Sequence, residues 1–166
     1  MPRVTQINPE TASEEVQKVI EAHLAKGYHL TNEKLTLLHS VPSFLAIEES
    51  SYAVDKELQS LIGKRAADIY EYAISDANEC LVCSLYFRRL LKREGIDIEN
   101  LQLTKQEELL VEFARSLAQD PMHISADLKD RMQNMFDERT FVVITTMGIM
   151  MLANNYFNEI MEVKAE

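Results

Sequence analysis

Cys80 and Cys83 are the whole thiol content of the chain and form a C-x-x-C pair in "NECLVCSLYFRRLL", residues 78–91. Two cysteines scattered at random would take this spacing about once in a hundred chains of this length. An i, i+3 spacing on a helix puts both thiols on one face with Cα atoms about 5–6 Å apart, within the span of a disulfide. With Asn78 as N-cap, Cys80 falls in the first helical turn, where unpaired N–H groups and the positive end of the helix dipole favour thiolate over thiol. That is the chemistry of a redox-active dithiol. The alternative is packing, since free cysteine is a good small hydrophobe and the pair continues an apolar stripe through Phe87, Leu90 and Leu91. A zinc site needs two more ligands, and neither a second C-x-x-C nor an H-x-x-x-H is present; His23, His29, His39 and His123 are scattered, so a metal would have to be shared between subunits. A thioredoxin-type C-x-x-C follows a strand, and no strand pattern flanks this one.

The elements that carry the pair are helical. Four glycines, four prolines and almost no alternating β-branched runs leave helical periodicity dominant from end to end, so the fold class is all-α. "TASE" at Thr11 has the form of a capping box and predicts a helix bearing Val16, Val19, Ile20, His23 and Leu24 on one stripe, stopped by Gly27. A short helix is predicted after Thr31 or Asn32, and another around "PSFL", where Pro42 suits a first turn. From Lys64, the residues Ala66, Ile69 and Ala73 mark one inward face. "SDAN" (75–78) then reads as a break, with the next helix running from Glu79 to Gly95. "TKQE" at Thr104 is a second capping box, for a helix that Asp120-Pro121 ends; Ser125 to Phe136 and about Glu138 to Val163 are the last two. About seven or eight helices result, as one all-helical domain over residues 1–166.

At 166 residues the chain can bury a core without disulfide staples. A net charge of −10 offers no basic face to phosphates, which argues against nucleic acid and an anionic membrane surface. "FVVITTMGIMMLA" (141–153) is shorter than the roughly 20 apolar residues of a membrane span, so a buried helix is expected there. The N-terminus lacks the basic start and apolar run of a signal peptide, and the expectation is a cytoplasmic protein.

The segment "RAADIYEYAISDANECLVCSLYFRRLLKREGID" (65–97) resembles the alkylhydroperoxidase D-like branch of the carboxymuconolactone decarboxylase family. That core reads approximately R-x-x-E, an apolar stretch, S-x-x-N-x-C-x-x-C-x-x-x-H, then a helix ending in Gly. Arg65, Ser75, Asn78, Cys80, Cys83 and Gly95 fall in register. "EELLVEFARSLAQDP" and "ANNYFNEIMEV" also look like the longer members, so the resemblance spans roughly residues 35–163. It implies an alkylhydroperoxidase D-like helical bundle that forms homo-oligomers and needs no bound cofactor. It also implies that Cys83 attacks peroxide, that Cys80 resolves, and that an acid twelve residues before the first cysteine joins a histidine in a proton relay. The acid position holds Asp68 and the histidine position holds Phe87, while Val82 stands where some members place a histidine inside C-x-x-C. Asp68 is then the surviving relay member, and Tyr72, Tyr86 and Glu71 are further groups at helical spacing from the motif.

The resemblance and the helix-end electrostatics disagree on which sulfur attacks. The expected activity is thiol–disulfide oxidoreduction by Cys80 and Cys83, with a peroxide or disulfide substrate, an unidentified reductant and a weak peroxidase side reaction. The alternative is a redox-sensing or structural oligomer that keeps the fold without the histidine relay. Met147, Met150 and Met151 on the closing helix are expected to contribute to a homo-oligomer surface.

Overall fold

The structure, a computed structural model, describes residues 2–165. Helix α1 (Glu14–Ala25) is capped by the Ser13 side chain, two residues after the expected Thr11. Helix α2 (Asn32–Leu37) is capped by Thr31. Helix α3 (Val41–Phe44) has Ser40 as cap and Pro42 in its first turn, and passes without a break through a π turn (Leu45–Glu49) into α4 (Ser50–Ile62). Helices α5 (Lys64–Ala77) and α6 (Leu81–Arg93) hold the motif. Then come α7 (Lys105–Gln119), α8 (Ala126–Met135) and α9 (Glu138–Ile160). Counting α3–π–α4 as one rod, eight helices and no strand occur among the described residues, an all-helical fold as the periodicity predicts.

Helix α5 is the axis of the bundle and packs on α4, α6, α7 and α9. Ten of its fourteen residues are buried, including the acids Asp68 and Glu71, so a helix with charged residues in its sequence is enclosed on nearly all sides. Its anchor is Tyr70, fully buried, whose hydroxyl donates to the Ile144 carbonyl of α9 at 3.0 Å. A buried hydroxyl left unpaired would cost about 1–3 kcal/mol, so this bond fixes the register of α9 on α5. Gly148, one turn further along α9, makes the approach possible: a Cβ there would collide with the Tyr70 hydroxyl and Leu117 Cδ2. A smaller cluster of Ile20, Leu37, Leu38 and Phe44 ties α1, α2 and α3 together. His23 sits in it with its ring against Tyr28, Phe44 and Tyr52, as a packed residue of the α1 stripe.

The closing helix spans 23 residues, close to the expected Glu138 to Val163, and although the apolar run within it is short, the helix as a whole is long and apolar enough, by length and composition, to cross a membrane; 44% of its most apolar window is packed inside the molecule. Met147 and Met151 point inward and are buried, so they do not supply the expected oligomer surface. The exposed large side chains of α9 are Val142, Ile149 and Tyr156, at intervals of seven residues, and Ile160 at its end.

Candidate functional site

The motif turn is tighter than "SDAN" suggests. Ser75 belongs to the last turn of α5, fully buried, with its hydroxyl donating to the Glu71 carbonyl at 3.1 Å. The chain then reverses at Asn78 and Glu79, the latter in left-handed backbone (φ 55°), and Cys80 N–H donates back to the Ser75 carbonyl at 3.0 Å. Helix α6 therefore starts at Leu81, and its N-cap is Cys80 itself instead of Asn78. The sulfur takes the role usually filled by a serine or aspartate oxygen: Cys83 N–H donates to Cys80 Sγ at 3.4 Å.

Both thiols are free and buried, and their sulfurs lie 2.8 Å apart. This contact splits their acidities. The Cys83 S–H donated to Cys80 lowers the Cys80 pKa from 9.0 to about 7; burial opposes this, and the Cys83 and Val82 backbone N–H groups assist it. Cys83 moves the opposite way, since it supplies the proton, is buried and faces the charge on Cys80. The Asn158 amide on α9 donates to Cys83 Sγ at 3.3 Å and partly offsets that rise. One proton is thus shared across the pair and rests on Cys83.

The two sulfurs look onto different spaces. Cys83 lines a cavity of about 550 Å³ enclosed by α2, the π turn, α4, α5, α6 and α9. Cys80 lines a separate groove beside Glu159 and the chain's end, 162–165. Asp68, Glu71 and Phe87 are buried on the cavity wall, and the exposed Tyr86 lines its rim. Asp68 is held by Lys64, at 2.6 Å, and not by Arg65, which bonds Glu107 of the α7 capping box. Burial raises the Asp68 pKa to about 6 although Lys64 pulls it down. Tyr72 is turned away, with its hydroxyl donating to Asp76 and Arg88 over its ring. Phe87, at the position of the expected histidine, is packed edge-on against Tyr86.

Three cavity acids, Glu33, Glu48 and Asp55, lie outside the motif, and the first touches the dithiol's partner Asn158. Glu33, in the first turn of α2, is pushed to about 8 by burial and by the Glu48 charge, with a hydrogen bond from Asn158 opposing. Its Oε1 is buried with no hydrogen-bond partner. Asn158 therefore touches both Glu33 and Cys83, and links an acid of α2 to the dithiol of α6. The only trace of Glu33 in the sequence is an acidic first turn in "TNEK". Among the described residues no three His, Cys, Asp or Glu side chains converge as ligands for a metal ion.

The bundle superposes over 99% of its length, and over 92% of the other chain, on the crystal structure of an alkylhydroperoxidase AhpD core, an uncharacterized peroxidase-related protein from Ralstonia eutropha JMP134, with TM-score 0.69 and 14% identity. The chain has the alkylhydroperoxidase D-like fold. No protein-family model and no curated protein matches the sequence. At that identity the likeness concerns the path of the chain, and the chemistry of this alkylhydroperoxidase D-like bundle has to be argued from its own side chains.

Proposed function

We propose that the chain is a thiol–disulfide oxidoreductase that cycles Cys80 and Cys83 between dithiol and disulfide, with a minor peroxidase activity. The observation that carries this reading is the pair of free sulfurs 2.8 Å apart, one stabilised as thiolate by a helix N-terminus and the other on a cavity wall. The geometry supports a division of labour. Cys80 is the base: it takes the Cys83 proton as substrate enters the cavity, and Cys83 thiolate, supported by Asn158, attacks. With a disulfide, a mixed disulfide forms and one thiolate leaves; Cys80, now a thiol, passes on its proton and attacks Cys83 Sγ, releasing the second thiolate and closing the C-x-x-C disulfide. Two electrons pass to the substrate, and an external dithiol restores the pair. With a hydroperoxide, Cys83 becomes a sulfenic acid, an alcohol leaves, and Cys80 displaces water.

This assignment reconciles the lower pKa of Cys80 with attack by Cys83. Asp68, on the same wall and half-ionised near its pKa of about 6, is proposed to receive and return protons through the cavity. The exposed row Val142, Ile149 and Tyr156 is proposed as the homo-oligomer contact. The test is intact mass after one equivalent of oxidised dithiothreitol or peroxide: loss of two hydrogens with both thiols blocked is expected, followed by multiple turnovers with a dithiol reductant. A pair that oxidises once and is never reduced by any dithiol would instead favour a redox-sensing role.

A further inference from the structure

The Cys83 cavity has a chemical bias of its own. At about 550 Å³ it has the volume of a small-molecule site. One part of its wall is apolar, formed by Tyr86, Phe87, Met147 and Met151. The polar part carries unsatisfied acceptors: Glu33 Oε1, Glu71 Oε1 and Asn154 Oδ1 are all buried without a hydrogen-bond partner. Glu71 is 4% exposed, so its oxygen is shut off from bulk water and lines only this space. The cations that reach the polar part are already engaged. Lys34 donates to the His29 carbonyl and the Tyr52 hydroxyl, and Lys64 to Asp68 and Glu94. Lys56, Arg89 and Lys164, the other cations of the wall, are exposed residues.

We propose that this cavity binds a small organic cation, an ammonium-bearing molecule whose charged end meets Glu71 and its neighbour Asp55 and whose apolar body lies along Tyr86, Phe87, Met147 and Met151 beside the Cys83 thiol. Buried acceptors without donors cost about as much as unmade hydrogen bonds, and an ammonium brings three donors together with the compensating charge. Without the ligand, the site holds a proton in its place. Glu71 is driven well up by burial, by the charges of Asp55 and Asp68, and by a hydrogen bond shared with Asp55, with Lys64 opposing. The titratable groups facing Glu71 are therefore Asp55 from α4, Asp68 and Lys64 from α5 and Tyr86 from α6, and α9 contributes only the neutral Met147, Met151 and Asn154. Binding of the cation releases that proton, so its affinity rises with pH until the ammonium itself begins to titrate.

Binding does not depend on turnover, but the step from occupant to substrate rests on the redox reading above: cationic disulfides or hydroperoxides are then the preferred substrates. Two charge series separate the two claims. Calorimetry on the full chain carrying Cys80→Ser and Cys83→Ser compares phenethylamine, phenethyl alcohol and phenylacetate, which share one apolar body. The amine is expected to bind at least about tenfold more tightly than the alcohol, to release protons in buffers of different ionisation enthalpy, and to lose about tenfold in Glu71→Gln while the alcohol is unaffected. An amine that binds no better than the alcohol or the carboxylate overturns the proposal. So does a Glu71→Gln chain, folded by its thermal transition, that keeps the amine preference. Turnover of cystamine, hydroxyethyl disulfide and dithiodiglycolate by the unmodified chain is expected to fall in that order. Three inert disulfides beside a clear amine preference would sustain the site and defeat the redox reading. Equal turnover of all three beside a flat binding series would do the reverse.

Discussion

Replacing Cys83 by alanine removes the donor that holds Cys80 as a thiolate while leaving the helix start intact. The Cys83 thiol is the largest influence lowering Cys80 from 9.0 to about 7, and burial, which opposes it, remains after the substitution. Cys80 is therefore expected to return to about 9 or above. At pH 7 the thiolate fraction then falls from roughly one half to about one in a hundred, a fiftyfold loss. A thiolate of higher pKa is intrinsically more nucleophilic by about six- to tenfold over two units, given a Brønsted slope near 0.4–0.5. The net expectation is that Cys80 reacts with iodoacetamide roughly five- to eightfold more slowly than in the unmodified chain at pH 7. At pH 10, where both forms are ionised, it reacts about six- to tenfold faster. Rates followed across pH with peptide mapping to isolate Cys80 would therefore cross. A Cys83→Ala chain whose Cys80 still titrates near 7 would show that the backbone N–H groups alone set the acidity. If Cys83 titrates near 7 in a Cys80→Ser chain, the roles of base and nucleophile are reversed.

Glu33 has a folded pKa of about 8 against 4.5 unfolded, so between those values the folded chain holds the extra proton and stability falls as pH rises. Glu33→Gln removes this slope, and the variant is expected to gain about 1–3 kcal/mol on the unmodified chain between pH 5 and pH 8, measured by denaturant titration at both. Gly148→Ala forces a methyl into the Tyr70 hydroxyl and Leu117, and a loss of about 1–3 kcal/mol or more is expected in the same assay. An unchanged midpoint would mean that α9 can shift freely on α5. Ile149→Lys places a charge in the middle of the exposed α9 row and is expected to reduce the molecular mass in light scattering to that of one chain, with the circular dichroism of the fold retained.

Where a residue acts on its own neighbours, the sequence was a good guide. The Thr104–Glu107 capping box, the Ser125 cap and the Thr31 cap all form as their spacing predicts, because a side-chain oxygen meeting an N–H three residues on is a local event. At α1 the cap falls at Ser13 and not at the expected Thr11, because both lie in one run of small polar residues and either oxygen can meet an N–H three residues on. Ambiguity also arose where an unusual cap was used, since cysteine rarely takes the place given to Asn78. Ser75 looked like a turn residue because its hydroxyl is polar; buried, it bonds back to its own helix at Glu71 and prolongs it. Asp68 could choose Lys64 or Arg65 by spacing alone, and the choice fell to Lys64 because Glu107, far along the chain, takes Arg65. Glu33 was missed for the same reason on a larger scale. Its significance lies in the Asn158 amide it shares with a cysteine fifty residues away, and helical periodicity carries no information about such a meeting.

The cysteine that caps α6 couples chemistry to mechanics. In the reduced state its sulfur is an anionic acceptor that holds the Val82 and Cys83 amides and so clamps the first turn. Oxidation removes the charge and leaves a neutral disulfide sulfur, a weaker acceptor for those amides. The turn so weakened carries Val82 and Cys83, with Tyr86 and Phe87 one turn on, all of them on the wall of the large cavity. In the proposed cycle, closing the disulfide is therefore expected to loosen this wall and reduction to tighten it again. Amide hydrogen exchange at Val82 and Cys83, expected to be faster in the oxidised chain than in the reduced one, is the measurement that checks this coupling.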